Sequence, residues 1–155
     1  MSPRGVRSVS KKILLVDDEP DIHLILKKYL EKIEGVDVVS ARDGSEGVRA
    51  YRELLERGEE PALVVMDLNL CGSDDEIRDF DLDTGPQNGV QCDGVRAAEE
   101  ILRINPHAAI WVYSAWADTK WAQKLREKGV QKLVDRIPFR EFAAMVEHFL
   151  KKQKE

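Results

Sequence analysis

The chain has few of the residues that mark secreted, membrane-bound or zinc-binding proteins. Its two cysteines, Cys71 and Cys92, are too few for a disulfide framework and lack the C-x-x-C spacing of a zinc site. We expect reduced thiols, although their positions leave a bridge between them open. No stretch approaches the roughly 20 apolar residues of a membrane span. The beginning of the chain also lacks the apolar core of a signal peptide. We therefore expect a cytoplasmic protein without membrane contact.

Basic residues are fewer than acidic ones, and they are not clustered. The sequence has 24 basic and 29 acidic residues, a net charge of -5, and its one basic run is at residues 151–154. Direct binding of nucleic acid is therefore not expected. Residues 74–83 contain six acidic residues and one arginine, so this segment alone has a net charge of -5. The rest of the chain is neutral.

Length and composition predict one globular domain. A chain of 155 residues with 43% hydrophobic residues can bury a substantial core. We predict a flexible N-terminal extension over residues 1–10 and a single domain over residues 11–152. An acidic insertion interrupts this domain at about residues 71–91.

Short apolar runs alternate with amphipathic stretches along the chain. The runs predict strands at residues 12–16, 36–41, 62–66, 108–113 and 130–134. The stretches with apolar residues at spacings of three and four predict helices at about residues 21–34, 48–55, 95–104, 121–128 and 140–151. This alternation predicts an α/β fold of the flavodoxin-like type, a doubly wound five-stranded parallel sheet in a three-layer α/β/α sandwich.

Polar side chains end four of the predicted strands. Asp17, Asp18 and Glu19 follow the first strand and Asp67 follows the third, so the fold gathers carboxylates at one edge of the sheet. Carboxylates that close together repel one another unless a cation lies among them, and oxygen ligands suit Mg²⁺. The fourth strand ends in Ser114, whose hydroxyl can bond a phosphoryl oxygen, and the fifth ends near Arg136, whose fixed positive charge suits the same oxygens. The sequence therefore predicts a magnesium site.

The residues around these strand ends carry a family resemblance. Residues 12–20 (KILLVDDEP), 64–68 (VVMDL), 92–95 (CDGV) and 113–115 (YSA) resemble the receiver domain of bacterial-type two-component response regulators, a CheY-like domain. The likeness covers about residues 11–150. The single domain predicted above is thus expected to be a receiver.

The resemblance implies a phosphoryl-transfer site. Asp67 would accept the phosphoryl group of a phosphohistidine, and Asp17, Asp18, Asp67 and the backbone carbonyl of Asn69 would hold Mg²⁺. Ser114 would contribute the hydroxyl. A sensor histidine kinase or a phosphotransfer protein is the implied donor, and the output would reach an unknown downstream protein. A homodimer is left open. Catalysis would be limited to self-phosphorylation and autodephosphorylation.

Three features depart from the family pattern. Receivers usually carry a lysine directly before a proline after the fifth strand, whereas this chain reads Asp135-Arg136-Ile137-Pro138. Counting from Ser114 puts Arg136 at the lysine position and counting from Pro138 puts Ile137 there; we favour Arg136, which keeps the charge. Leu133 stands where an aromatic residue is usual. The acidic insertion is the third departure. It is either a solvated loop or a segment that docks a partner or acts as a lid.

Two functions of different classes fit these residues best. The first is a stand-alone receiver that is phosphorylated on Asp67 and signals by protein contact, because no residues remain for an output domain. The alternative is a pseudo-receiver that is not phosphorylated and acts as a protein-interaction module. A magnesium-dependent phosphatase with an aspartyl nucleophile is less compatible, since such enzymes need an aspartate where Asn69 stands.

Overall fold

The computed structural model describes residues 11–67, 93–114 and 120–153. The predicted extension and the acidic insertion, with Asn69, Cys71 and Cys92, lie outside these ranges, and the domain limits stay predictions. The strands of the described residues are β1 (Lys11–Val16), β2 (Val36–Ala41), β3 (Leu63–Met66), β4 (Ile110–Tyr113) and β5 (Lys132–Val134). The helices are α1 (Pro20–Glu31), α2 (Gly44–Glu56), α3 (Asp93–Ile104), α4 (Lys120–Lys128) and α5 (Phe139–Gln153).

The five strands form one parallel sheet in the order β2-β1-β3-β4-β5. This confirms the predicted doubly wound, flavodoxin-like fold. Strand β1 lies between β2 and β3 and pairs with both. The chain adds β2 on one side of β1 and the later strands on the other side, so the direction of strand order reverses at β1. In open α/β sheets, ligands bind at the carboxyl edge next to such a reversal.

Two predicted strands begin later than expected. The N–H of Ala108 donates to the carbonyl of Asn105 at 3.0 Å, and the N–H of Val130 donates to the carbonyl of Leu125 at 3.0 Å. Both residues therefore close turns at the ends of helices, so β4 starts at Ile110 and β5 at Lys132. Apolar periodicity could not distinguish these turn residues from the strands that they precede.

A hydrophobic core lies on each face of the sheet. On one face, β1, β3 and β4 pack against α1 and α5, through residues such as Leu26 and Phe142. On the other face, they pack against α2, α3 and α4, through residues such as Tyr51 and Ile101. Each fully buried side chain of this size stabilises the fold by about 1.5–3 kcal/mol relative to exposure. These two cores fix the sheet edge on which the polar residues lie.

Helix α1 buries most of the face that its apolar spacing suggests and departs from it at one residue. The apolar spacing predicts Ile25 on the buried stripe, yet Ile25 is 41% exposed and the polar His23 is buried. Ile22, Leu26 and Leu30, at successive spacings of four, form the stripe against the sheet. His23 lies beside this stripe, at the end of the helix nearest the polar edge.

Within the described ranges, no helix combines the length and the apolar character that crossing a bilayer requires.

Candidate functional site at the carboxyl edge of the sheet

The backbone ladder of the sheet continues past three strands and fixes the residues that follow them. The N–H of Asp17 donates to Ala41, that of Asp67 to Val16 and that of Ser114 to Val134, each at 3.1 Å. All three side chains belong to residues that are at most 1% exposed. Hydrogen bonds of the sheet therefore hold the backbone of these three polar residues in place.

Four carboxylates converge where β1 and β3 end. One oxygen from each of Asp17, Asp18, Glu19 and Asp67 lies within 4.8 Å of the others. Asp17 and Asp67 are buried, whereas Asp18 and Glu19 are exposed. The backbone N–H of Glu19 donates to Asp17 Oδ1 at 3.0 Å, and Pro20 then begins α1. This turn aims the carboxylate of Asp17 toward the end of β3.

Burial dominates the electrostatics of Asp17. Loss of solvent raises the pKa of the Asp17 carboxyl, while the Glu19 N–H and the Arg136 guanidinium oppose this shift. The nearby charge of Glu19 adds a smaller increase. A further cation among the carboxylates would favour the ionised form of Asp17.

Arg136 brings its positive charge to this cluster from the segment between β5 and α5. Its Nη2 lies 3.1 Å from Asp67 Oδ1 and 3.4 Å from Asp17 Oδ2. The same nitrogen donates to the backbone carbonyl of Tyr113 at 3.2 Å. Ile137, the other candidate for the lysine position, packs instead against the core formed with α1 and α5. The structure thus brings Arg136 to the carboxylates and turns Ile137 away.

Tyr113 is a residue of this site to which the sequence analysis assigned no role. The Arg136 guanidinium carbon lies 4.7 Å from the centre of the Tyr113 ring. The hydroxyl of Tyr113 donates a hydrogen bond to the backbone carbonyl of Ile137. Burial raises the pKa of Tyr113 to about 12, against a smaller opposite effect of Arg136, so the hydroxyl keeps its proton at neutral pH. The one signal in the sequence was the position of Tyr113 at the end of a strand.

His23 is a second residue without an assigned role. Its Nε2 lies 2.6 Å from the backbone carbonyl of Asp17. A carbonyl oxygen only accepts hydrogen bonds, so Nε2 must carry the proton. His23 thereby ties the first turn of α1 to the residue that ends β1. The signal available in the sequence was a histidine inside the otherwise apolar stretch of residues 22–26.

The other residues singled out in the sequence have different placements. Ser114 is fully buried at the end of β4. Leu133 packs, partly buried, against the core under α2, α3 and α4. Because this residue is a leucine, the position brings no aromatic ring to the edge of the sheet. The backbone carbonyl of Asn69 lies outside the described residues.

The side chains present fit a magnesium ion. All four converging groups offer hard carboxylate oxygens, which are the ligands that Mg²⁺ prefers. Two of them are buried and two are exposed, an arrangement that leaves a solvent side for the waters that Mg²⁺ usually keeps. The single positive charge of Arg136 does not balance two buried carboxylates.

Fold and site together define a flavodoxin-like α/β domain with an acidic site at the carboxyl edge of its sheet. The chain is 30% identical over 108 residues to the chemotaxis protein CheY of Thermotoga maritima, a stretch that covers 69% of each chain. The chain therefore belongs to the CheY-like receiver domains of response regulators. No protein-family model matches it.

Solved structures agree with this assignment. A two-component response regulator of the LuxR family from Aurantimonas is 27% identical, with a TM-score of 0.67 over 92% of this chain and 86% of that one. The CheY-like receiver domain protein of Methanospirillum hungatei has the same TM-score at 19% identity, over 94% of this chain and 97% of that one. At that identity the likeness concerns the fold alone.

Proposed function

We propose that this receiver accepts a phosphoryl group on Asp67 in the presence of Mg²⁺ and signals by protein contact. The observation that carries the proposal is the position of Asp67. This carboxylate is 1% exposed, follows a central strand, and lies among three other carboxylates and beside the Arg136 guanidinium. An aspartate that only formed a turn would be exposed to water, because burying a carboxylate among other carboxylates costs free energy.

Phosphoryl transfer needs in-line positioning and charge neutralisation more than it needs covalent activation. An oxygen of the ionised Asp67 attacks phosphorus, the bond from phosphorus to the imidazole nitrogen of a phosphohistidine breaks, and the leaving imidazole takes up a proton. The product is an acyl phosphate on Asp67. Arg136, whose Nη2 lies 3.1 Å from Oδ1 of Asp67, would neutralise phosphoryl oxygens. Ser114 would donate its hydroxyl to another of them.

Asp17, Asp18 and Asp67 would hold the magnesium ion, together with the backbone carbonyl of Asn69. When bound, Mg²⁺ offsets the negative charge of the carboxylates and of the incoming phosphoryl group. The exposed carboxylate of Glu19 belongs to the same cluster and would add to the negative charge that attracts the ion. His23 holds the backbone of Asp17 and so positions this ligand.

The proposed phosphodonor is a sensor histidine kinase or a phosphotransfer protein, as the resemblance implies. The output would be a protein that distinguishes the phosphorylated from the free receiver. A stand-alone role, the cytoplasmic location and the oligomeric state stay predictions from the sequence.

A small phosphodonor tests this proposal without knowledge of the kinase. The protein is incubated with acetyl phosphate and Mg²⁺, and its intact mass is measured after acid quenching. We expect one added phosphoryl group that is stable in acid and lost in base, and that requires Mg²⁺. The variant Asp67→Asn keeps the shape of the side chain but removes the nucleophile, and should give no adduct. Asp37→Asn, which alters an exposed carboxylate at the start of β2, is the matched control and should react normally.

Two other outcomes would overturn the proposal. Absence of any adduct with acetyl phosphate and with other small donors would favour a pseudo-receiver that acts only as an interaction module. Sustained hydrolysis of phosphomonoesters would instead indicate a phosphatase.

A further inference from the structure

The contacts of Arg136 leave its orientation poorly determined by hydrogen bonds alone. Three acceptors surround its Nη2 atom: Asp67 Oδ1, Asp17 Oδ2 and the carbonyl of Tyr113, at 3.1, 3.4 and 3.2 Å. An Nη2 group has two hydrogens, so at least one of them must be shared between two of these three acceptors. Arginine usually binds carboxylates through two parallel hydrogen bonds, and these contacts do not form that fork. Among the described residues, the buried Nε has no hydrogen-bond partner.

The ring of Tyr113 supplies the constraint that these hydrogen bonds lack. The guanidinium carbon lies 4.7 Å from the centre of the ring, within the range of a cation–π contact. Only 22% of the Arg136 side chain is exposed, and such contacts strengthen when solvent is excluded. A planar guanidinium that packs on a ring face loses the freedom to rotate away from that face.

The ring of Tyr113 is itself held in place by contacts with residues other than Arg136. It stacks on Phe142 with the ring centres 4.0 Å apart and the planes 16° apart, and it meets Phe139 edge-on at 6.3 Å. Its hydroxyl is bonded to the carbonyl of Ile137, directly after Arg136. In the sheet, Tyr113 pairs with Val134, two residues before Arg136. Helix α5 and strand β5 thus fix the ring against the segment that carries the arginine.

We propose that Tyr113 is a positioning residue that orients the Arg136 guanidinium toward Asp67 for phosphoryl acceptance. The inference rests on the proposed function of Asp67. A lysine ammonium is compact and can point a charge without a platform, whereas an arginine fork must be oriented in its plane. In this chain the ring provides that orientation, so an arginine can serve where receivers usually carry lysine.

Variants of Tyr113 separate the ring from the hydroxyl and from the bulk of the side chain. Tyr113→Phe keeps the ring and removes the bond to Ile137, whereas Tyr113→Leu removes the ring. Tyr113→Met is a second variant without a ring, and its flexible side chain fills irregular space if leucine disturbs folding. The matched control is Trp111→Leu. Trp111 lies on the same strand and face, contacts Phe142 and Phe149, and stacks under Lys132 instead of Arg136.

The first readout is independent of phosphorylation. The buried Nε–H of Arg136 gives a nuclear magnetic resonance signal that a facing ring shifts. We expect this signal at a similar position in the protein and in Tyr113→Phe, and at an unshifted position in Tyr113→Leu and Tyr113→Met. Trp111→Leu should leave it in place. If the chemical shift of the Arg136 Nε–H stays the same when the Tyr113 ring is removed, the proposal is overturned.

The second readout is the rate of adduct formation with acetyl phosphate and Mg²⁺. Without the ring, we expect this rate to fall about three- to thirtyfold, the range that corresponds to one cation–π contact. Tyr113→Phe should stay within about twofold of the unaltered protein. Trp111→Leu should also keep its rate although it loses core packing.

A double-mutant cycle with Arg136→Ala decides whether the ring acts through the arginine. In the Arg136→Ala background the ring has no guanidinium to orient, so Tyr113→Leu should not lower the rate further. An equal loss in both backgrounds would show a merely structural role and overturn the proposal. If the unaltered protein forms no adduct while its Nε–H signal follows the ring, the function proposed for Asp67 fails and the orientation of Arg136 by Tyr113 stands.

Discussion

The two sides of the acidic site are built in different ways. On the side of β1 and β3, backbone ladder bonds of 3.1 Å hold Asp17 and Asp67 directly after their strands. On the side of β4 and β5, the cation comes from Arg136, in an irregular segment between β5 and α5. Side-chain contacts to Asp17, Asp67 and Tyr113 hold the guanidinium in place.

This difference shows which part of the site can vary. The sheet sets the backbone of Asp17 and Asp67, so these two residues cannot shift without breaking hydrogen bonds of the central strands. Four residues, 135–138, connect β5 to α5, and a change in this connection breaks no backbone hydrogen bond of the central strands. The carboxylates belong to the segments that resemble receivers, whereas Arg136 stands where receivers usually carry a lysine. The chemistry of acceptance and the orientation of the cation can therefore be tested separately.

The largest effect is expected on the side of the cation. Arg136→Ala leaves the developing phosphoryl charge without its guanidinium, and the rate of adduct formation should fall about a hundredfold, as for other lost charge-stabilising donors. Arg136→Lys keeps the charge and should retain most of the activity. Arg140→Ala, an exposed position on α5, serves as the control. Equal rates in Arg136→Ala and the unaltered protein would place the important cation elsewhere.

On the side of the carboxylates, Mg²⁺ should stabilise the fold. At a concentration ten times its dissociation constant, binding should add about 1.4 kcal/mol to the free energy of unfolding, measured with urea. Asp17→Asn should remove most of this gain and Asp37→Asn should not. Burial raises the pKa of Asp17, so the gain should shrink as the pH falls toward that pKa and protons compete with the metal. An equal gain in Asp17→Asn would exclude Asp17 as a ligand.

The smallest effect is expected from His23, which holds the backbone of Asp17. His23→Leu keeps an apolar body but removes the hydrogen bond to the Asp17 carbonyl, and should lower the free energy of unfolding by about 1 kcal/mol. It should also weaken Mg²⁺ binding, because the backbone of a ligand loses its anchor. His148→Leu, at an exposed position of α5, is the control for replacing a histidine. A normal Mg²⁺ affinity in His23→Leu would separate this histidine from the site.

The fold could be predicted because its signals are local and repeated. Apolar runs and helical spacing located all five strands and five helices of the described residues, and alternation of the two implied a parallel sheet. Errors fell where turn hydrogen bonds or side-chain packing, which apolar spacing does not encode, decided the outcome. Ala108 and Val130 continue apolar runs but donate to helix-end carbonyls, and Ile25 is exposed although it continues the apolar spacing of α1.

The site could be predicted only where sheet geometry determines it. A carboxylate directly after a buried strand must lie at the carboxyl edge, so Asp17 and Asp67 could be read from the sequence as neighbours. Counting along the chain could not choose between Arg136 and Ile137, because the path of residues 135–138 sets that choice. The roles of Tyr113 and His23 depend on side-chain packing across elements, which no spacing rule encodes.

Chemical localisation of the phosphoryl group tests the central claim most directly. After reaction with acetyl phosphate and Mg²⁺, borohydride reduces an acyl phosphate of aspartate to homoserine, and peptide sequencing by mass spectrometry then finds the altered residue. We predict homoserine at position 67 alone. Homoserine at Asp17 or Asp18, or none in protein that binds Mg²⁺, would contradict the assignment of Asp67 as the acceptor.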